Sequence, residues 1–217
     1  ASFDAHASSS GDLFLSGTAK SAKLHASSSG DILASDFQAQ TFDIQASSSG
    51  DIEAKSNGDG QVKIDVSSSA DLDLESLGAA EFLIKASSSA DIELSGQCAS
   101  IEIEASSSAD VDGKDLACRD ANVVASSSAD VSVFASESVE ARASSGGDIY
   151  ISGSPAVRDI SQLSLPQPHS RHWRTRPRHT ISLVSMSSTS LRVWKSNMKP
   201  PALTALLLIS AAGGRMT

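Results

Sequence analysis

The stretch Ala-Ser-Ser-Ser-Gly-Asp-Ile at residues 26–32 decides the fold, because it returns in close variants eight times along the chain. The aspartate of each repeat is taken here as position 0, and other residues are counted from it. A regular recurrence of this length is the signature of a solenoid in which each repeat forms one coil. The eight aspartates follow one another at intervals of 18 to 20 residues and are Asp12, Asp31, Asp51, Asp71, Asp91, Asp110, Asp130 and Asp148.

Apolar and polar residues alternate around each aspartate. Odd positions from −9 to +3 are almost all apolar or small, as at Val62 and Ile64, whereas positions −8 and −6 are mostly polar, as at Lys63 and Asp65. Alternation with a period of two is typical of a strand with one buried face. With no helical pattern between the strands, the sequence predicts an all-β, parallel β-helix (β-solenoid) of about 20 residues per coil.

The serines that precede each aspartate admit two conformations. Position −1 is glycine in four repeats and alanine in four, which indicates a need for small size, because a left-handed backbone would penalise alanine by about 1 kcal/mol or more. We expect the chain to stay extended here, with the serines at position −3, such as Ser28 and Ser48, pointing inward and their hydroxyls forming a ladder between coils. A corner at the serines is the alternative. Residues 57–60 and 95–99 also have the composition of corners.

The repeated Ser-Ser-Ser-Gly-Asp-Ile, together with the closing Ser-Gly-Gly-Asp-Ile-Tyr-Ile-Ser-Gly-Ser-Pro at residues 145–155, resembles the bacterial GIN-domain family over about residues 1–164. Members of this family are named as autotransporter adhesin heads. The resemblance implies a right-handed β-helix in a protein that is secreted or attached to the cell envelope, at the periplasm, outer membrane or cell surface. Family members usually begin with further strands, whereas this chain opens in mid-repeat at Ala1. We therefore expect an N-terminally truncated domain that lacks the signal region.

Charge divides the chain into a β-helix domain at residues 1–160 and a tail at residues 161–217. The domain has 26 acidic and nine basic residues, whereas the tail has eight basic residues and no acidic one. A domain of net charge −17 repels nucleic acid and anionic membranes. The tail should not extend the coils, and we expect it to be poorly ordered, with at most a short helix at residues 202–212.

The origin of this basic, proline-rich tail is open. Residues 169–179 have the composition of a nucleic-acid-binding arm, but the abrupt loss of the repeat and of every acidic residue favours translation in a shifted frame. A short amphipathic or membrane-touching C-terminal segment is the alternative. The apolar run at residues 202–212 is too short to be a transmembrane span.

The aspartates offer the most distinctive candidate site, since a solenoid would align all eight in one outward column. Adjacent charges about 4.8 Å apart repel each other, so something must offset the repulsion. Hydrogen bonds from serine hydroxyls and backbone N–H groups are one explanation. Bound cations, calcium in particular, are the other, which makes Asp12, Asp31, Asp51, Asp71, Asp91, Asp110, Asp130 and Asp148 the candidate metal ligands.

Two residue pairs fall in shared columns on neighbouring coils. His6 and His25 both occupy position −6, where they could form a two-ligand metal site, but without a third ligand a solvated pair is the favoured explanation. Cys98 and Cys118 each lie 12 residues before the next aspartate, which should bring them within reach of a disulfide. Two reduced, buried thiols that merely fill space are the favoured explanation, and a disulfide is the alternative.

No catalytic site is apparent. The sequence has no Gly-x-Ser-x-Gly, His-Glu-x-x-His or phosphate-binding glycine motif. We therefore predict a non-enzymatic, adhesin-like surface or interaction module, with no cofactor unless calcium binds, for a surface or polysaccharide partner. The alternative is a carbohydrate-binding or carbohydrate-active β-helix. Only Phe14 and Tyr150, on distant coils, are aromatic residues expected to face outward, so no aromatic row for sugar stacking is predicted.

Overall fold

The computed structural model describes residues 1–163, 183–187 and 190–194. Thirteen β-strands and no helix occur in these residues. The first eight strands are β1 (Ser2–Ser8), β2 (Leu13–Ser27), β3 (Ile32–Ser47), β4 (Ile52–Ser56), β5 (Gln61–Ser67), β6 (Asp71–Ser87), β7 (Asp91–Ala105) and β8 (Asp110–Ala125). The last five are β9 (Asp130–Ser144), β10 (Asp148–Ser152), β11 (Val157–Leu163), β12 (Leu183–Ser187) and β13 (Ser190–Trp194).

Strands β1 to β11 stack in parallel, each residue lying beside its counterpart in the neighbouring repeat. Leu13 pairs with Ile32, Ile32 with Ile52 and Ile52 with Leu72. From β6 onward the aspartates themselves are partners, in the order Asp71, Asp91, Asp110, Asp130 and Asp148. The predicted β-solenoid of about 20 residues per coil, with one aspartate column, is confirmed.

The core is a narrow stack of aliphatic side chains inside the coils. In β5, Val62, Ile64 and Val66 are buried while the residues between them are not, as the alternation predicts. The larger buried rings, such as Phe42 and Phe82, occupy position −9. Burial of each aliphatic side chain contributes about 1.5–3 kcal/mol, so the stack stabilises every coil in the same way.

The serines form a tight corner, and the expectation of an extended chain there is wrong. Ser28 and Ser29 have φ angles of 54° and 62°. The N–H of Gly30 donates to the carbonyl of Ser27 at 3.1 Å. Two successive left-handed residues closed by this bond make a type I′ turn. The alternative of a corner at the serines is therefore correct.

The serines at position −3 are exposed, so the predicted inward hydroxyl ladder is also wrong. The ladder across the corners is made by the backbone instead. The N–H of Ser29 donates to the carbonyl of Ser48 at 3.2 Å, and equivalent bonds join five other pairs of neighbouring coils. These bonds help to offset the cost of left-handed non-glycine residues, about 1–2 kcal/mol each.

Position −1 is buried in every coil after the first and requires a small residue, as the sequence predicts. A Cβ atom on Gly30 would lie 2.5 Å from the backbone nitrogen of Ser8 in the preceding coil. Ala70 and Ala90, which occupy the same column, are fully buried. The left-handed conformation falls on the two serines before this position, so the backbone conformation does not exclude alanine, whereas the close approach of Ser8 does exclude it at Gly30.

A second bend lies near position +5. Gly96 has a φ of 104°, and a Cβ atom there would collide with the carbonyl oxygen of Ser76. The pairing register also shifts nearby, between Ser76 and Ala80. The predicted corner at residues 57–60 separates β4 from β5, whereas residues 95–99 bend within β7.

Cys98 and Cys118 are direct register partners on adjacent coils and form a disulfide with a Cα–Cα distance of 4.5 Å. Both side chains are buried. The shared column follows from the sequence, and the structure selects the crosslinked alternative.

The tail strands do not continue the parallel coil. Strand β12 pairs with β13 in antiparallel fashion, and β13 pairs in the same way with β10 at the end of the solenoid. The sequence did not predict these strands. The predicted short helix at residues 202–212 lies outside the described residues, and the shifted-frame hypothesis stays a prediction.

The serine corner yields a stability prediction. Replacing Ser48 with Asn and Ser49 with Gly should raise the free energy of unfolding by about 1 kcal/mol, because Asn-Gly is the favoured pair of a type I′ turn. Urea unfolding measures the change. Ser49→Val is the matched control and should lower stability, since a β-branched residue resists a positive φ. An Asn-Gly variant less stable than the parent would contradict the turn.

The disulfide yields a second prediction. Removing it with Cys98→Ala and Cys118→Ala should lower the free energy of unfolding by about 3 kcal/mol, the loop-closure value for a crosslink of sequence separation 20. Thiol titration of the unfolded, non-reduced protein should detect no free thiol. Two titratable thiols would show that the bond is absent.

Candidate functional site

One outward face of the solenoid carries two parallel columns of carboxylates, here named the aspartate face. The first column contains the aspartates of position 0. The second, at position +2, contains Glu53, Asp73, Glu93 and Asp112, which are register partners on successive coils. A groove of about 360 Å³ lies between the columns and is lined by Asp71, Asp73, Asp91, Glu93, Asp110 and Asp112, with Leu72 and Ile92.

Backbone amides stabilise the early part of the aspartate column. The N–H of Asp51 donates to the Oδ1 atom of Asp31, and the N–H of Asp71 donates to the Oδ1 atom of Asp51, both at 3.1 Å. A hydrogen bond from a backbone N–H to a carboxylate offsets part of the repulsion between neighbouring carboxylates. The backbone explanation proposed for the column is therefore visible at Asp31 and Asp51.

The amide of position 0 changes its acceptor where position −1 of the preceding coil changes from glycine to alanine. The N–H of Asp91 donates to the carbonyl of Ala70 at 3.2 Å, and the N–H of Asp110 donates to the carbonyl of Ala90 at 2.9 Å. The same arrangement follows Ala109 and Ala129. In those coils the amide bonds to backbone instead of to the neighbouring aspartate.

Asp71 lies where these two arrangements meet. Partial burial, followed by the charges of Asp51 below and Asp91 above, raises the pKa of its carboxyl group. The amide of Asp91, which could have stabilised the Asp71 carboxylate, is already bonded to Ala70. Asp71 is thus a point at which partial burial, together with repulsion along the column, weakens the fold.

Lysines lie beside the aspartate face at position +4. The Nζ atom of Lys55 is 2.7 Å from Oε2 of Glu75. Lys114 contacts Asp112 and Asp115, and its hydrogen bonds to these two carboxylates raise the pKa of its ammonium group. These pairs neutralise the edge of the face, while the position 0 column stays acidic.

No group of three or more His, Cys, Asp or Glu side chains within the described part of the chain is arranged to hold a metal ion. Calcium would therefore have to bridge carboxylates of neighbouring coils, and the cation column stays a prediction.

His6 and His25 are register partners with ring centroids 5.0 Å apart. Asp4 Oδ1 lies 3.6 Å from His6 Nε2.

A second face carries a long groove that was not predicted from the sequence. Its walls are the outward side chains at positions −10 and −8, and its floor is the inward column at position −9. One stretch, of about 570 Å³, includes Ser2, Asp4, Lys23 and Lys63. The other, of about 600 Å³, crosses the later coils from Glu81 to Asp159. In the sequence, the pattern that could have indicated this groove is an apolar column at position −9 between polar columns at positions −10 and −8.

The exposed aromatic side chains lie where the sequence places them. Phe14 is 77% exposed and Tyr150 is 42% exposed, both at position +2. Leu33 lies beside Phe14 as its register partner and extends this apolar surface by one coil. Acidic residues occupy the next coils of the same column, so Phe14 and Tyr150 do not form a row.

Asp71 gives a pH prediction. Because its pKa is raised in the folded state, protonation favours the fold, and the destabilisation present at neutral pH disappears as the pH falls through and below its ordinary value of 3.8. Asp71→Asn should therefore raise the Tm at pH 7 and change it little at acid pH. Asp65→Asn, opposite Lys85, is the matched control and should not raise the Tm. An Asp71→Asn protein that melts earlier at pH 7 would refute this account.

Calcium binding by the aspartate column has its own test. A ligand that binds only the folded state raises the Tm as its concentration exceeds the Kd. A column of calcium sites should therefore give a Tm that climbs through a millimolar calcium titration, with magnesium as the comparison ion. An unchanged Tm would leave hydrogen bonding as the explanation of the column.

No helix in the described residues is long and apolar enough to cross a membrane. No curated protein and no solved structure matches the chain. A family model described as "Putative auto-transporter adhesin, head GIN domain" matches residues 1–69 and 55–155, the whole run of serine-turn coils. The chain therefore belongs to the head GIN domain family that this model describes.

Proposed function

We propose that this chain is a non-enzymatic, adhesin-like module that is secreted or held at the bacterial cell envelope, where it attaches to a surface partner. The family match over residues 1–155 carries the proposal. An adhesin head has to present a binding surface away from its anchor. A rigid stack of identical coils is suited to that task.

The repeat itself supports attachment by many weak contacts. Each coil presents the same outward positions, so a partner that contacts one coil meets similar side chains on the next. Contacts linked in this way reinforce one another, because the second binding event occurs at a high effective concentration. An attachment module needs such an array, whereas catalysis needs a local site that departs from the repeat.

The disulfide supports the proposed compartment. Cys98 and Cys118 are crosslinked, and the described part of the chain has no free cysteine. Structural disulfides persist in oxidising compartments such as the periplasm and the cell exterior and are rare in the cytosol. The crosslink is therefore consistent with an envelope or secreted location.

Surface display tests the function. Bacteria that display the chain should attach to other cells or to coated surfaces under flow several times more than cells that carry the empty display scaffold. Ile64→Asp is the matched control, because a buried, unpaired charge should disrupt the coils. Equal attachment by all three strains would refute the proposal.

Fractionation of the native cells should recover the chain from the envelope or the medium.

A further inference from the structure

The later stretch of the long groove, here named the acidic groove, has walls that repeat from coil to coil. It crosses five coils, a length of about 19 Å at a coil spacing of about 4.8 Å. One wall holds Glu81, Ser100, Asp120, Ser138 and Val157, and the other holds Leu83, Glu102, Asn122, Glu140 and Asp159. Its volume, about 600 Å³, is in the range of ligand-binding clefts.

The acidic groove has a one-sided charge. Each of its five coils contributes one carboxylate, and no lysine or arginine among the described residues lines it. Arg142 pairs with Glu140 from the neighbouring column, and Ser138 donates a hydrogen bond to Asp120. Glu81, Glu102, Asp120 and Asp159 have no cationic partner among the described residues, so these four carboxylates favour a ligand that carries positive charge.

The walls also offer hydrogen bonds that suit hydroxyl groups. Ser100 presents a hydroxyl and Asn122 an amide between the carboxylates. Asn122 Oδ1 is buried without a hydrogen-bond partner, one of only three such side-chain atoms in the described residues, and Asp43 in the earlier stretch of the same groove supplies another. A small rotation of the Asn122 side chain would offer this acceptor to a donor in the groove.

The spacing favours a sugar chain over a peptide. The groove runs across the strands, whose N–H and C=O groups are already engaged between coils, so a peptide cannot add to the sheet there. Side chains on one face of an extended peptide repeat every 6.6–6.8 Å or so, whereas a pyranose unit is close in length to the coil spacing of about 4.8 Å. A linear glycan can thus meet one carboxylate with each sugar unit.

We propose that the acidic groove binds an extended amino-sugar polysaccharide with free amines, aligned along the solenoid axis. Its ammonium groups pair with the carboxylates of Glu81, Glu102, Asp120 and Asp159, while the sugar hydroxyls bond to Ser100 and Asn122. Charge-assisted hydrogen bonds thus replace the aromatic stacking that the chain lacks. This assignment rests on the proposed attachment function and names the partner class for it.

Calorimetric titration of the full chain with a glucosamine tetramer tests the assignment. The double variant Glu102→Gln/Asp120→Asn should bind at least about tenfold more weakly, since it removes two charge-assisted bonds. Asp91→Asn/Glu93→Gln removes the same charge from the aspartate face and should stay within about twofold of the parent, because charges beyond a Debye length are screened. If the groove double variant unfolds, the exposed single substitutions Glu102→Gln and Asp159→Asn provide the same comparison.

Two further ligands complete the test. The fully N-acetylated tetramer should bind more weakly than the glucosamine tetramer because it has no ammonium charge. Acetylated tetralysine should also bind more weakly, because the spacing of its ammonium groups does not match the spacing of the coils. Absence of glucosamine binding, equal losses in both double variants, or equal affinity for either comparison ligand would overturn the assignment. Attachment that persists in the display assay without glucosamine binding would refute the ligand class alone, whereas loss of attachment would refute the function.

Discussion

Hydrogen bonds between the backbones of adjacent coils fix the position of every side chain in the solenoid. They hold each residue beside its counterpart about 20 positions away, so that one residue choice, repeated, becomes a column. Apolar columns make the core, and polar columns make the outer faces. The serine corner belongs to the same system, since its amides and carbonyls continue the ladder where the chain turns.

Position −1 links the interior to the charged surface. Where position −1 is glycine, the backbone N–H of the aspartate in the next coil donates to a carboxylate, as from Asp71 to Asp51. Where position −1 is alanine, that N–H donates to the alanine carbonyl, as from Asp91 to Ala70. A difference of one methyl group inside the coil is thus accompanied by a different electrostatic environment outside it. Asp71 has its raised pKa where the two arrangements meet.

The features visible in the sequence are those that repeat. The period and the alternation predict the coils, the aspartate column and the shared column of Cys98 and Cys118. The serine corner could not be seen in the sequence pattern. Positions −5 and −1 are both buried, so the alternation of buried and exposed residues keeps the same phase on either side of the corner, as it would through a strand. The long groove is formed jointly by two polar columns and the apolar column between them, so no single repeated position marks it in the sequence. Strands β12 and β13 belong to no repeat, so periodicity could not find them.

The crosslink between adjacent coils has a mechanical consequence. A solenoid pulled from its ends peels away coil by coil, because each coil is held mainly by the bonds to its neighbours. The covalent bridge from Cys98 to Cys118 encloses one coil, so the chain between them cannot lengthen under load even after its hydrogen bonds break. About 70 Å of contour length, the reach of some 20 extended residues, is withheld in this way. Under tension, the solenoid therefore unfolds on either side of the crosslinked coil.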